Sequence, residues 1–240
     1  MNSLYSHSLI PVRPDLEAVH GSAMSSFSDT GTWFSGSERK EIVALARRIR
    51  HREGLELLGF ADEVADISLP SAVIELIQRV ACDAEEIGKD FYEKITSEGI
   101  SVEQYVEVVG LVGRVVSVDT FCRALGFPMN ALDVSRPGKP SATRPETAIV
   151  QHAWVPTIPS GKHGGKDAAA LYGDADFVAN IFSALSLVPQ EASLVMQLGS
   201  AQYVGADDFM NLEFRRCEQF SRAQLELVAA RISALNNCFY

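Results

Sequence analysis

The stretch that decides the fold is residues 101–125, SVEQYVEVVGLVGRVVSVDTFCRAL. Valine is common in it, and β-branched residues favour strands. The run nevertheless exceeds twenty residues without a proline, which is long for a strand. Its apolar side chains also recur at helical spacing, namely at Tyr105, Val108, Val109, Val112 and Val116. The stretch therefore predicts one long helix.

Local signals mark both ends of this helix. Ser101 and Gln104 form the S-x-x-Q capping-box pattern at its start, and Gly126 follows its last residue. Gly110 and Gly113 lie inside it and lower its intrinsic helix propensity. We interpret these two glycines as small surfaces where another helix approaches closely.

The rest of the chain is also predicted to be helical. No series of short strand patterns at regular spacing of 8–12 residues occurs, so the fold class is all-α. Further helices are predicted, from apolar periodicity and cap residues, at 37–53, 69–82, 84–97, 174–187, 190–203 and from 221 onward.

Composition limits the classes of function. The 240 residues are 47% hydrophobic and 22% charged, as in ordinary globular proteins. The net charge of −10 argues against nucleic acid or an anionic membrane surface as a partner. No apolar run is long enough for a membrane span, and residues 1–15 lack the features of a signal peptide. We therefore expect a cytoplasmic protein without a membrane partner.

The chain divides by composition into four parts. Residues 1–36 are interpreted as an N-terminal arm, and 37–128 as a first helical unit. Residues 129–169 hold five of the ten prolines and are interpreted as a linker, in which residues 152–156, HAWVP, form a candidate docking patch. Residues 170–240 form a second helical unit.

The function is most readable in residues 221–240, SRAQLELVAARISALNNCFY. Ser221 and Gln224 repeat the capping-box pattern and predict a helix start. An apolar stripe suited to a core-facing helix follows, at Leu225, Val228, Ile232 and Leu235. Asn236 and Asn237 predict the end of that helix, directly before Cys238.

These residues resemble the active-site signature of the alkylhydroperoxidase AhpD-like family, within the carboxymuconolactone decarboxylase superfamily. That signature is Glu, eleven residues, then C-x-x-C followed shortly by His. Glu226 stands twelve positions before Cys238, and residues 238–240, CFY, match the first three letters of C-x-x-C. Residues 41–45, EIVAL, resemble 226–230, ELVAA, which suggests two related helical units, the first without the cysteine motif.

The second cysteine and the histidine of the signature would follow Tyr240. Some members of the family carry selenocysteine at that position, as C-x-x-U, and its codon is normally read as stop. We therefore expect a selenoprotein whose sequence is cut within this motif; a trimmed or degenerate member would end in the same way. Sequencing the gene past the Tyr240 codon tests this expectation.

The resemblance implies a thiol or selenol peroxidase that reduces a hydroperoxide with a thiol or dithiol reductant and functions as a homo-oligomer, without a cofactor or metal. Glu226 would belong to the proton relay, Cys238 would be the resolving or partner thiol, and the 240-residue form would be inactive. On one straight helix these two residues would be about 18 Å apart and about 120° out of phase. The chain must therefore turn between them, and Asn236–Asn237 is the expected break.

Other readings of the same residues stay open. The chain could be a non-catalytic interaction scaffold that keeps the fold, or, with less support, a decarboxylase-type member. Glu226 could be a solvated residue and Cys238 an inert buried thiol. Cys82 and Cys122 are expected in the core, Cys217 at the surface, and Asp119 at the surface of the valine-rich helix.

Overall fold

The computed structural model describes residues 4–5, 10–55, 67–205 and 208–238. Over these ranges the regular structure is helical, and β-structure is limited to isolated bridges at Ile149–Thr157 and Cys217–Phe220. The all-α prediction is therefore confirmed. In chain order the α-helices are α1 (Pro14–Ser26), α2 (Gly36–Arg52), α3 (Ser71–Cys82), α4 (Lys89–Ser97), α5 (Val102–Leu125), α6 (Gly165–Tyr172), α7 (Asn180–Ser183), α8 (Pro189–Gln202) and α9 (Arg222–Leu235).

Helix α5 has the bounds that the sequence predicts. The backbone N–H of Gln104 donates to Ser101 Oγ at 3.1 Å, and the N–H of Ser101 donates to Gln104 Oε1 at 3.0 Å. These two bonds satisfy groups that a helix start leaves unpaired. At the other end, Gly126 adopts the left-handed conformation with φ of 71°, which glycine reaches without a Cβ clash.

The two glycines inside α5 differ in their roles. A Cβ at Gly110 would lie 2.8 Å from the side chain of Glu191 in α8, so a larger residue would push the two helices apart. A Cβ at Gly113 would meet nothing within 4 Å, and Gly113 is exposed. The prediction of a close helix approach is confirmed at Gly110 and wrong at Gly113.

Helix α5 lies at the centre of the hydrophobic core. It contacts α1, α2, α3 and α8, and α1 also packs against α8. Its valines and leucine at positions 106, 108, 111, 112, 115 and 118 are at most 1% exposed. Complete burial on several faces explains why a valine-rich sequence is stable here as a helix, since packing outweighs its weak intrinsic propensity.

Three other helix predictions need correction. Helix α2 begins after a capping box formed by Ser35 and Glu38, two residues before the predicted cap at Ser37. Residues 84–97 form a 3₁₀ turn at Ala84–Glu86 and then α4, rather than one helix. Residues 174–187 contain only the short α7, because the chain after Gly173, which has φ of 63°, does not resume a helix until Asn180.

Four charged side chains form a buried cluster among α2, α5 and α8. Arg39 contacts Glu107 and lies 2.9 Å from Glu191 Oε1, and Arg114 Nη2 lies 2.7 Å from Glu191 Oε2. All four side chains are fully enclosed. Burial alone would raise the pKa of Glu191, but the guanidinium groups of Arg114 and Arg39 outweigh it and hold that pKa below its usual range.

Asp119 is buried, which corrects the prediction of a surface position. It is 1% exposed and accepts two bonds from Arg47 of α2, Nε to Oδ2 at 2.8 Å and Nη2 to Oδ1 at 2.9 Å. This bidentate pair joins α2 to α5 in the interior.

Among the helices within the described ranges, none is both long and apolar enough to cross a membrane. Helix α5 has 24 residues, the length of a span, but carries five charged side chains.

Candidate functional site

Helix α9 starts and ends where the sequence predicts. Ser221 Oγ accepts from the N–H of Gln224 at 3.3 Å, and the last helical residue is Leu235. Asn237 has a positive φ of 50°, and the N–H of Cys238 donates to the carbonyl of Ser233 at 2.9 Å. This bond caps the last turn of α9 and fixes Cys238 directly beyond it.

The apolar stripe of α9 does not face the core, contrary to the prediction. Val228 is 57% exposed, Ile232 53% and Leu235 65%, and Leu227, which precedes Val228 on a different side of the helix, is 72% exposed. Helical periodicity indicates that one face of a helix will be covered, but it does not say by what. Within the described residues, that cover is absent.

Glu226 is held by two neighbours near the start of α9. The hydroxyl of Tyr203 donates to Glu226 Oε2 at 2.5 Å, and Arg222 Nε donates to Oε1 at 2.5 Å. The hydrogen bond from Tyr203, together with that from Arg222, lowers the pKa of Glu226. Burial of its ring, together with the same contact, raises the pKa of Tyr203 to about 12. Glu226 is therefore an ionised acceptor, and Tyr203 keeps its proton at neutral pH.

Cys238 is exposed and lines a cavity of about 520 Å³ at the other end of α9. Cys82, the last residue of α3, lines the same cavity, and so does Arg50 of α2. The remaining wall includes Val116 of α5 and Glu85 from the turn after α3. Two cysteines and one arginine thus border a single cavity.

The two residues of the predicted site lie at opposite ends of α9. Nine helical steps separate Glu226 from the last residue of α9, or about 14 Å at 1.5 Å per residue, and Cys238 follows after that end. The cavity that Cys238 lines does not include Glu226. The chain does bend at Asn237, but the bend does not bring the carboxylate to the sulfur.

Cys82 is the residue that sequence reasoning misses. It was predicted in the core, yet it is only partly buried and faces the cavity. Burial raises the pKa of its thiol, and the nearby Arg50 guanidinium opposes that effect. No spacing pattern points to Cys82, because its partner thiol comes from a distant part of the chain.

The other two cysteines have the predicted placement. Cys217 is exposed. Cys122 is fully buried beside Tyr5, whose hydroxyl lies 3.8 Å from the sulfur and 2.5 Å from Nδ1 of His20. Burial lowers the pKa of His20 to about 4, so this imidazole is neutral near pH 7. The enclosed Cys122 offers no thiol to a substrate.

Metal ligands do not converge at this site. In the part of the chain that the structure describes, no group of three or more His, Cys, Asp or Glu side chains is arranged to hold a metal ion.

Comparison with protein-family models, with curated proteins and with solved structures gives no match to this chain. The functional argument therefore depends on the site's own chemistry.

Proposed function

We propose that this chain is an AhpD-like thiol peroxidase in which Cys238 attacks the hydroperoxide. This proposal departs from the family resemblance, which implies a resolving role for Cys238 and an inactive 240-residue form. The observation that carries the proposal is the cavity that Cys238 and Cys82 share with Arg50. Peroxide reduction requires an accessible thiol, a second thiol to resolve the oxidised product, and positive charge that favours the thiolate. The cavity supplies the exposed thiol of Cys238 and a second thiol, that of Cys82. Arg50 brings positive charge to its wall, although burial still leaves the pKa of Cys82 raised. The family resemblance of Glu226 and Cys238 points to the same class of reaction but not to the same role for Cys238, and the role of Glu226 stays a prediction.

The proposed reaction has two steps. The Cys238 thiolate attacks the terminal oxygen of the hydroperoxide, the O–O bond breaks, and the leaving alkoxide takes up a proton to become an alcohol. Cys238 is left as a sulfenic acid. The Cys82 thiol then attacks the sulfenic sulfur, water leaves, and a Cys82–Cys238 disulfide forms. An external thiol or dithiol reduces this disulfide and restores both thiols.

A single-turnover experiment tests the proposal. Pre-reduced protein is mixed with cumene hydroperoxide, and the loss of thiols is followed by titration and by mass spectrometry of the cysteine peptides. Two thiols should be lost per chain in the wild type. Cys238→Ser should slow thiol loss at least tenfold, because the attacking sulfur is gone. Cys82→Ser should stop at the sulfenic acid, which dimedone traps at Cys238.

The matched control is Cys217→Ser, since Cys217 is exposed but lies outside the cavity. This variant should retain the wild-type rate. If Cys238→Ser reacts as fast as the wild type, the peroxidase proposal fails. If Cys238 is oxidised in the wild type but no Cys82–Cys238 disulfide appears, the assignment of Cys82 as the resolving thiol fails.

The exposed stripe of α9 favours a second candidate, a non-catalytic scaffold whose function is assembly. Residues 41–45 of α2 and 226–230 of α9 have similar sequences, but Ile42 and Val43 are fully buried under neighbouring helices, whereas Leu227 and Val228 are exposed. We propose that a second copy of the chain covers α9 in a homo-oligomer. In a symmetric dimer the same surface of both copies meets at the two-fold axis, so the α9 stripe of one copy would pack against the α9 stripe of the other. Both candidates share this assembly, and the single-turnover experiment separates them.

Introducing charge on the α9 stripe should dissociate the oligomer. Val228→Glu with Ile232→Glu places two carboxylates in the apolar face, and burial of unpaired charge opposes association. The wild type should have a mass of at least twice the 26.1 kDa of the chain by light scattering, and the variant should be monomeric. Ala230→Glu with Ala234→Glu is the control, because it adds the same charge about 160° around the helix. A monomeric wild type would refute the assembly.

A further inference from the structure

A second cavity, of about 400 Å³, lies between α5 and the segment that precedes α6. This volume is within the usual range for sites that bind small organic molecules. Its wall combines two aromatic rings with branched aliphatic side chains: Tyr105, Trp154, Val106, Val109, Val155 and Leu185. The segment that supplies Trp154 is the one whose sequence suggests a docking patch.

The aromatic wall is held in place by a third ring. Tyr92 of α4 packs edge-on against Tyr105, with ring centroids 5.3 Å apart and planes at 88°. It also lies against Trp154, at 6.3 Å between centroids. Tyr92 thus contacts both aromatic residues of the wall, and side chains that are already packed need little ordering when a ligand binds.

The described lining of the cavity contains no carboxylate, ammonium or guanidinium group, because no Asp, Glu, Lys or Arg appears among the described residues that line it. His152 and Asn180 are its polar residues at the surface, and both are exposed. An ion that entered would lose water molecules that hydrate it and would find no opposite charge in the described lining to compensate for that loss. The lining therefore disfavours binding of charged molecules.

One polar group in the wall lacks a partner. Tyr105 is 5% exposed, and its hydroxyl has no hydrogen-bond partner among the described residues. The hydroxyl oxygen of Tyr105 is not completely enclosed by protein atoms, so it borders open space. Burial raises the pKa of Tyr105 to about 12, and the hydroxyl therefore stays a donor at neutral pH. In the empty cavity water can accept this hydrogen bond, and a ligand acceptor at the same position can replace that water.

We propose that this cavity is a binding site for a small, neutral, mainly apolar molecule with one oxygen acceptor, such as an aromatic ketone, which accepts a hydrogen bond from the Tyr105 hydroxyl. The cavity is distinct from the one that Cys238 lines, although Ala84 and Ile87 border both. Binding here does not require thiol chemistry. The proposed binding site can therefore be tested independently of the peroxidase proposal.

The test uses four ligands of similar size, titrated by ligand-detected NMR with the intact chain. Acetophenone is neutral and has one acceptor, ethylbenzene lacks the acceptor, benzoate is an anion, and benzylammonium is a cation. Acetophenone should show saturable binding. Benzoate and benzylammonium should bind at least tenfold more weakly, because the described wall has no carboxylate, ammonium or guanidinium group to pair with them.

Three variants, one of them a control, locate the binding. Ala184→Phe fills the cavity from an exposed position and should reduce acetophenone affinity at least tenfold, whereas Ala170→Phe, at an exposed site in α6 outside the cavity, should not. Tyr105→Phe removes only the hydroxyl; it should weaken acetophenone about threefold to tenfold and leave ethylbenzene unchanged. Absence of saturable acetophenone binding to the wild type, or full affinity in Ala184→Phe, overturns the proposal.

Discussion

Replacing Glu191 with Gln should lower the free energy of unfolding by about 3 to 5 kcal/mol, the usual cost of breaking a buried ion pair. Glu191 is fully enclosed and bonds both Arg39 and Arg114. The substitution keeps the shape of the side chain and removes its charge. Two buried guanidinium groups then share a single carboxylate, that of Glu107, and the unbalanced charge cannot reach water.

The loss of stability caused by Glu191→Gln should become smaller as the pH falls. The pKa of Glu191 in the folded chain lies below its usual value, so its ionised form stabilises the fold. That stabilisation is complete above about pH 4.5, the ordinary range of a glutamate, and declines as the pH falls toward the folded-state pKa. The difference in stability between the wild type and Glu191→Gln should therefore be largest near neutral pH and smaller in acid.

Denaturant unfolding followed by circular dichroism measures this difference. For a chain of this size, a loss of 3 to 5 kcal/mol corresponds to a decrease in Tm of roughly 10 °C. Glu218→Gln is the matched control, because it makes the same chemical change at an exposed residue and should shift stability by less than about 0.5 kcal/mol. Equal stability of the two variants would mean that the buried cluster contributes nothing to the fold.

Elements with strong local signals are the part of this fold that sequence predicts well. Helix α5 begins at a capping box and ends at Gly126, and both features depend only on residues within a few positions of each other. Helix α9 begins and ends as predicted for the same reason. Residues 174–187 carry periodicity without such caps, and only Asn180–Ser183 forms a helix there. The capping boxes at Ser101 and Ser221 therefore predict their helix starts correctly, whereas the single cap residue predicted at Ser37 and the periodicity of 174–187 do not give the observed bounds.

Predictions about burial and proximity fail where a distant segment decides the outcome. Asp119 has the pattern of a surface residue, but Arg47 pairs with it across two helices and makes its burial possible. Cys82 lies on an apolar helix face, yet it borders a cavity with Cys238 because α3 and α9 both end there. The predicted pairing of Glu226 with Cys238 depended on a bend whose direction sequence spacing cannot specify.

Breaking the Arg47–Asp119 ion pair is the second change that we expect to lower the free energy of unfolding strongly. Asp119→Leu leaves the Arg47 guanidinium buried without the carboxylate that it bonds, and Arg47→Met leaves the carboxylate without that guanidinium. Each substitution alone should cost about 3 to 5 kcal/mol in the free energy of unfolding. The double variant should behave differently, because no charge of the pair remains in the interior and both replacements are apolar side chains.

The double variant should therefore lose about 1 kcal/mol or less relative to the wild type, or gain stability, since buried ion pairs are often matched by apolar residues of similar volume. Denaturant unfolding of all four proteins gives the coupling energy as a double-mutant cycle. A large coupling energy means that each single variant loses stability because it leaves its partner's charge buried and unpaired. If the two single losses simply add, the damage arises from altered packing at each site, and the ion pair is not what holds α2 to α5.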